Sequence, residues 1–289
     1  MKRRLMRILG WTLLALALLL TCLTVLGGGW GPKPPLPAAF LAGSRPILIA
    51  HRGLVGRSPE NTEAAVADAV EVGYDGVELD IQSSADGHFI AFHDATTDRL
   101  LGHPGSLSTM SLEEISRERL FSSTDRAHTI PLLRDILKHH SGRAIFYLDM
   151  KRHGHSNIFA LASDIHRAVT DAHAQERVMV ASAYPWFIAW LEFRHPEIIT
   201  VLEGANRPMM AFWDFIPRNF KPDLIASRYP DLPPELFARI RGHDLDSRYV
   251  AYHIDESNIH SALAMGVRIL LLDHGPTVDS LLLTDSREP

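Results

Sequence analysis

Cysteine is almost missing from this chain: Cys22 is the only one in 289 residues, which excludes an intramolecular disulfide framework. Lipid attachment at Cys22 is disfavoured too, because Thr21 precedes it and Leu23, Thr24, Val25 and Leu26 continue the apolar stretch that a lipidated cysteine normally ends. Excess positive charge is also lacking. With 29 Lys and Arg against 34 Asp and Glu the net charge is -5, which argues against nucleic acid as the main partner, since phosphate backbones select basic surfaces. No internal repeat or low-complexity segment follows the first 45 residues. What is abundant is histidine, 16 residues, in a composition (46% hydrophobic, 22% charged) that excludes disorder and leaves ample material for a large core.

The chain divides into three parts: residues 1–30, 31–45 and 46–289. In the first, Lys2, Arg3, Arg4 and Arg7 precede an uncharged run from Ile8 to Leu26. About 19 residues at 1.5 Å rise is just long enough for a hydrocarbon core of about 30 Å, and longer than the apolar region of a cleaved signal. The expectation is one N-terminal transmembrane helix, with the basic flank cytoplasmic, Trp30 at the interface and the rest of the chain outside, periplasmic or extracellular. The prolines of Gly31-Pro32-Lys33-Pro34-Pro35-Leu36-Pro37 then favour a stiff, extended linker.

From Pro46 onward short β-rich runs alternate with amphipathic stretches. Strands are expected at 47–50, 76–83, 144–150, 178–183, 199–202, 224–227, 249–253 and 268–272, with helices at 61–72, 156–172, 185–194, 234–241 and 256–265. Asn61 and Thr62 are candidate caps of the first helix and Gly73 its stop. Eight strands alternating with helices predict a closed parallel TIM (β/α)8 barrel. The alternative, an open doubly wound sheet, lacks its Gly-rich nucleotide loop after the first strand. The segment 86–143 breaks the rhythm with a hairpin-like run at 87–93, and reads as an insertion after strand two, over the barrel's top.

The chemistry-bearing residues fall at the ends of these strands. Strand one ends in His51-Arg52-Gly53: the guanidinium can grip two phosphate oxygens and the imidazole can move a proton near neutral pH. Glu60 opens the first helix, where a carboxylate suits the helix dipole but also lies close to His51. Glu78 and Asp80 are two apart and share one strand face, which in a barrel is the interior. Two buried carboxylates side by side require a cation or strong donors, and oxygen ligands suit Mg²⁺ or Ca²⁺. Asp149 completes a three-carboxylate set, with Lys151 on the same face to neutralise phosphate charge. His93, in Phe92-His93-Asp94, supplies a second imidazole, so that one can activate the attacking oxygen and the other protonate the leaving one.

These motifs together resemble the glycerophosphodiester phosphodiesterase family. The likeness lies in His51-Arg52-Gly53, Pro59-Glu60-Asn61-Thr62, the stretch from Gly73 to Asp80, and Phe92-His93-Asp94 with Thr97-Asp98-Arg99. It is weaker at Ile130-Pro131-Leu132 and Leu148-Asp149-Met150-Lys151, and covers about residues 46 to 275. It implies a metal-dependent TIM-barrel hydrolase releasing an alcohol and a phosphomonoester, with a glycerophosphodiester or a lysophospholipid as substrate. By that likeness His51 and His93 are the acid–base pair, Arg52 the phosphate clamp, and Glu78, Asp80 and Asp149 the metal ligands. Glu60 would sit beside the metal, and Lys151 would bind phosphate. Departures are Asp149, where the family usually has a glutamate, the stretch Tyr252-His253-Ile254-Asp255 in place of a tryptophan before a Thr-x-Asn-like run, and the strand end Asp273-His274-Gly275-Pro276. The last two touch the part of the pocket that would hold the alcohol, where Tyr252 is the candidate substrate contact. Trp186, Trp190, Trp213 and Phe212 either line an apolar approach for lipid or pack internally. Two other readings stand beside hydrolysis: a membrane-anchored binder of phosphodiester head groups without turnover, and a cyclising phospholipase.

Overall fold

The computed structural model describes residues 2–41, 45–121, 128–152 and 157–273. Eight parallel strands close into a barrel: β1 (Ile47–Ala50), β2 (Gly76–Ser83), β4 (Ile145–Met150), β5 (Val178–Ser182), β6 (Ile199–Glu203), β7 (Leu224–Arg228), β8 (Tyr249–Ile254) and β9 (Ile269–Leu272), with β1 pairing both β2 and β9. Nearly every residue of these strands is buried, as expected when one face lines the barrel and the other lies under helices. The expected strands therefore form where the alternation placed them, within one residue at each end.

The strand β3 (Phe89–Ala91) returns antiparallel along β2 and opens the insertion, followed by α3 (Asp98–Leu101) and α4 (Leu112–Arg117) over a small apolar core of their own, and by α5 (Leu133–His140), whose Leu133, Ile136 and Leu137 join the main core. Outer helices among the described residues are α2 (Glu63–Val72), α6 (Ile158–Asp171), α7 (Pro185–Arg194), α8 (Arg207–Ala211), α9 (Pro234–Gly242) and α10 (Ile259–Met265). Capping of α2 falls to Thr62 alone, whose hydroxyl accepts from the Ala65 N–H, while Gly73 ends the helix in a left-handed conformation. The expected start of α6 at residue 156 and the run His274–Pro276 lie outside the described residues.

The N-terminal helix α1 (Lys2–Leu26) forms, but the expectation of a membrane-crossing segment is not upheld: no helix among the described residues is long and apolar enough to cross a membrane. Four cations occupy its first turns, and Gly10, Thr12, Thr21 and Thr24 interrupt the run behind them. Trp30, expected at a lipid interface, instead donates its indole N–H to the Phe215 carbonyl at 3.3 Å, and Asn219 donates to the Leu26 carbonyl at 2.9 Å. The proline segment is more than a spacer. Its Lys33 ammonium is buried between Glu192 of α7 and Asp223, and Leu36 and Phe40 join the apolar layers inside the barrel.

Candidate active site

Register places the carboxylates. Pairing of β2 with β4 sets Asp80 directly beside Asp149 and Glu78 beside Tyr147. Because side chains alternate, Glu78, Asp80 and Asp149 all turn into the barrel, at the end where the strands finish. Their ligand oxygens lie within 4.8 Å of one another. Burial, with Asp80 and Asp149 alongside, pushes the Glu78 carboxyl well above the usual carboxylate range. Burial also raises Asp149, against the opposing pull of Lys151. Asp80 goes the other way: burial is outweighed by Lys151, Arg52 and Asn61, which hold it below its ordinary value. The Lys151 ammonium bridges Asp80, at 2.9 Å, and Asp149.

No lysine or arginine among the described residues forms an ion pair with Glu78; its contacts are the Arg52 backbone N–H at 2.9 Å and His51 Nε2 at 3.9 Å. A buried carboxylate beside two others, so thinly compensated, fits a hard divalent cation held by oxygen donors. The donor set Glu78, Asp80 and Asp149 therefore suits Mg²⁺ or Ca²⁺.

Two residues reach this site through strained backbone. Arg52 (φ 59°) and Asn61 (φ 57°) both sit in the left-handed region, which non-glycine residues seldom adopt. The turn at Arg52 aims its N–H at Glu78 and its Nη1 at Glu60, 3.0 Å away. Its Nε lies 3.1 Å from Asp80 without hydrogen-bond alignment. Gly53 follows because a Cβ there would come within 2.7 Å of the Ala65 backbone. Asn61, expected as a helix cap, brackets Asp80 instead: its Nδ2 donates to Oδ2 at 2.8 Å and its Oδ1 accepts from the Asp80 N–H at 2.9 Å.

The two histidines are held alike. His51 Nδ1 meets Asp273 Oδ1 at 2.5 Å and His93 Nδ1 meets Asp94 Oδ1 at 2.6 Å. Bonding to His51 holds Asp273 below its usual value, while Arg99 and His93 bring Asp94 down to about 2. Gln82 donates to the carbonyls of Phe92 and Asp94 at 2.6 and 2.8 Å, clamping the loop that carries His93.

Glu60 differs from expectation. It stands outside the carboxylate cluster, gripped by Arg52 and by both terminal nitrogens of Arg99 at 2.7 and 2.8 Å, which lower its pKa against the effect of burial. Its carboxylate holds guanidinium groups and is not grouped with those of Glu78, Asp80 and Asp149. Tyr252 is half-buried at the top of β8 against the barrel's inner layers, on the same interior face as Glu203 at the end of β6. Glu203 accepts from the Tyr147 hydroxyl at 2.7 Å, and burial together with Asp149 pushes it up to about 7.

Sequence reasoning missed Gln82 and Glu203, and named Asn61, Arg99 and Asp273 without giving them these roles in the constellation. A signal for Arg99 and Asp94 was present in the short spacing of His93-Asp94 and Asp98-Arg99. Asp273 was readable only as part of a strand end at the pocket; nothing in the sequence tied it to His51, 222 residues away.

The glycerophosphoryl diester phosphodiesterase family model matches residues 51–220, more than half of the chain. The chain belongs to that family. A glycerophosphodiester phosphodiesterase from Caldanaerobacter subterraneus subsp. tengcongensis is 46% identical over 71 residues, 25% of this chain and 29% of that protein. One from Bacillus altitudinis is 26% identical over 184 residues, 61% of this chain and 75% of that protein. The first of these matches thus spans under a third of its relative's length. Among solved structures, a phosphodiesterase from Oleispira antarctica, in complex with the product sn-glycerol-3-phosphate, superposes with a TM-score of 0.68 at 19% identity, covering 85% of this chain and 98% of that one. At that identity the likeness is one of fold. The family match ends before β7, so Tyr252 and Asp273 lie beyond its reach.

Proposed function

We propose that the protein is a glycerophosphodiester phosphodiesterase, hydrolysing its substrate to an alcohol and a glycerol phosphate. One observation carries the reading: two imidazoles, each with Nδ1 held by an aspartate, flank a buried carboxylate cluster with a lysine and an arginine beside it. A carboxylate on Nδ1 sets the tautomer and leaves Nε2 for substrate, as acid–base chemistry requires. Arg52 and Lys151 bind the phosphoryl oxygens. One histidine takes the proton of the attacking water as its oxygen bonds to phosphorus, and the other protonates the alcohol oxygen as its bond to phosphorus breaks. Glu78, Asp80 and Asp149 would hold the divalent cation, which when bound supplies positive charge for the non-bridging oxygens.

A lysophospholipid is the second reading, favoured by a separate observation. An apolar cavity of about 730 Å³ runs along the outer helices α6 and α7, lined by Ile158, Phe159, Trp186, Trp190, Phe215 and Phe220 among others. Of the aromatics singled out from sequence, Trp213 is buried, while Trp186 and Phe212 are 79% and 66% exposed. Exposed aromatics along an apolar groove suit an acyl chain.

Turnover of glycerophosphocholine and lysophosphatidylcholine, with Mg²⁺, Ca²⁺ or chelator, tests both readings. Choline release that stops with chelator is expected. Folded protein that releases none from either substrate would overturn the proposal, and an open phosphomonoester, as against a cyclic one, distinguishes hydrolysis from cyclisation.

A further inference from the structure

We propose a second metal site, for a borderline transition cation of the Zn²⁺ kind, formed by His166, His195 and Glu197 at the barrel end opposite the catalytic rim. His166 lies on α6 beyond its midpoint, and His195 closes the C-terminus of α7, its N–H bonded to the Leu191 carbonyl at 2.7 Å. Glu197 follows Pro196 in the turn that leads into β6. Both α6 and α7 run away from the catalytic rim, so the three side chains meet on the outer layer, where the polypeptide turns back into the barrel.

The donor atoms all lie within 4.8 Å of one another. His166 Nε2 is 2.6 Å from Glu197 Oε1, and His195 Nδ1 is 4.0 Å from the same oxygen. An ordinary hydrogen bond accounts for the first contact. It does not account for His195, whose ring stacks on His166 with centroids 3.9 Å apart and planes 18° apart. Stacked rings direct their in-plane lone pairs side by side, so a modest turn of one ring is what would bring both nitrogens onto a single cation. His195 is mostly buried while Glu197 is about half exposed, leaving the open side to a water ligand. A cavity of about 610 Å³, lined in part by His173 and Ser141, borders Glu197. Thr170 Oγ1, 3.4 Å from His166 Nε2, is the weak contact that a metal would displace.

Two imidazoles and one carboxylate differ in kind from Glu78, Asp80 and Asp149. Nitrogen donors select Zn²⁺, Co²⁺ or Ni²⁺, whereas an all-oxygen set suits Mg²⁺ and Ca²⁺. The two sites should therefore be separable by ion. A cation here clamps α6 to the α7–β6 turn and stabilises the fold by mass action, without touching the reacting atoms.

The test uses the full chain, stripped with chelator and titrated with Co²⁺ and Zn²⁺, read by calorimetry, visible absorption and thermal unfolding. Wild type and Asp149→Asn are each expected to keep a Zn²⁺ site with Co²⁺ absorption and a Zn²⁺-dependent rise in Tm. His195→Ala and, at a tolerant exposed position, Glu197→Gln should weaken it at least tenfold, with Mg²⁺-supported turnover unchanged. Wild type binding no Zn²⁺ would overturn the proposal. So would Zn²⁺ binding that survives in both His195→Ala and Glu197→Gln, or that disappears with Asp149→Asn.

Discussion

The two halves of the barrel are built for different tasks. From β1 to β4 the strand ends carry a dense, strained array: left-handed Arg52 and Asn61, three carboxylates, Lys151, and the Glu60–Arg99–Asp94 chain of ion pairs. From β5 to β9 the strands are largely apolar, and polar groups gather near their ends, among them Glu203, Tyr252 and Asp273. The first half concentrates charge where a phosphate and a cation would sit. The second closes the wall, yet it delivers the group that orients His51. Pairing of Ala50 with Leu272 at the closing seam leaves His51 and Asp273 next to each other, so one histidine depends on local sequence and the other on barrel closure.

That contrast can be broken experimentally. Replacing a histidine should have the largest effect: His93→Ala is expected to lower kcat by roughly 10²–10⁴-fold, measured as alcohol release at saturating substrate and metal. Equal turnover in this variant would remove the first half's claim to proton transfer. Asp273→Asn, in the second half, should lower kcat by roughly 10–10⁴-fold, because the amide no longer holds His51 in its working tautomer. If Asp273→Asn is silent while Asp94→Asn is not, closure contributes nothing to His51.

Glu203 sharpens the comparison through stability. Its folded value of about 7 exceeds the ordinary glutamate value, so the folded chain holds a proton that the unfolded chain releases between about pH 4.5 and 7. Stability contributed at Glu203 therefore falls as pH rises through that window. In chelator, Glu203→Gln should be more stable than wild type at pH 8, by on the order of 2 kcal/mol, with the difference vanishing near pH 4.5. Thermal unfolding at the two pH values checks the sign. The smallest effect belongs to a purely local device: Thr62→Ala should destabilise by about 1 kcal/mol through loss of the α2 cap, in denaturant titration, with turnover nearly unchanged.

What could be read in advance follows from the range of each interaction. Short β-rich runs between amphipathic stretches are a local signal, so all eight barrel strands were legible, and the spacing of Glu78 with Asp80 and of Asp149 with Lys151 already set them on one face. Helix α1 was legible as a helix but not as a membrane span, because length and charge alone do not weigh the polar residues within it. Asn61 was misread as a cap because cap chemistry and side-chain bonding to a neighbouring strand use the same residue type, and only the left-handed turn at position 61 separates them.

For Glu60 the limit is similar: its nearness to His51 in sequence says nothing of the two arginines that hold it in space. By itself the amino-acid sequence determined the periodicities, the identity of the titrating groups and which of them share a strand face, since these depend on neighbours two to four residues away. Only the tertiary structure decided that Asp80 stands beside Asp149, that Asp273 holds His51, and that His166 meets His195 and Glu197. Those contacts depend on strand register, barrel closure and helix packing, which join residues that no local pattern connects.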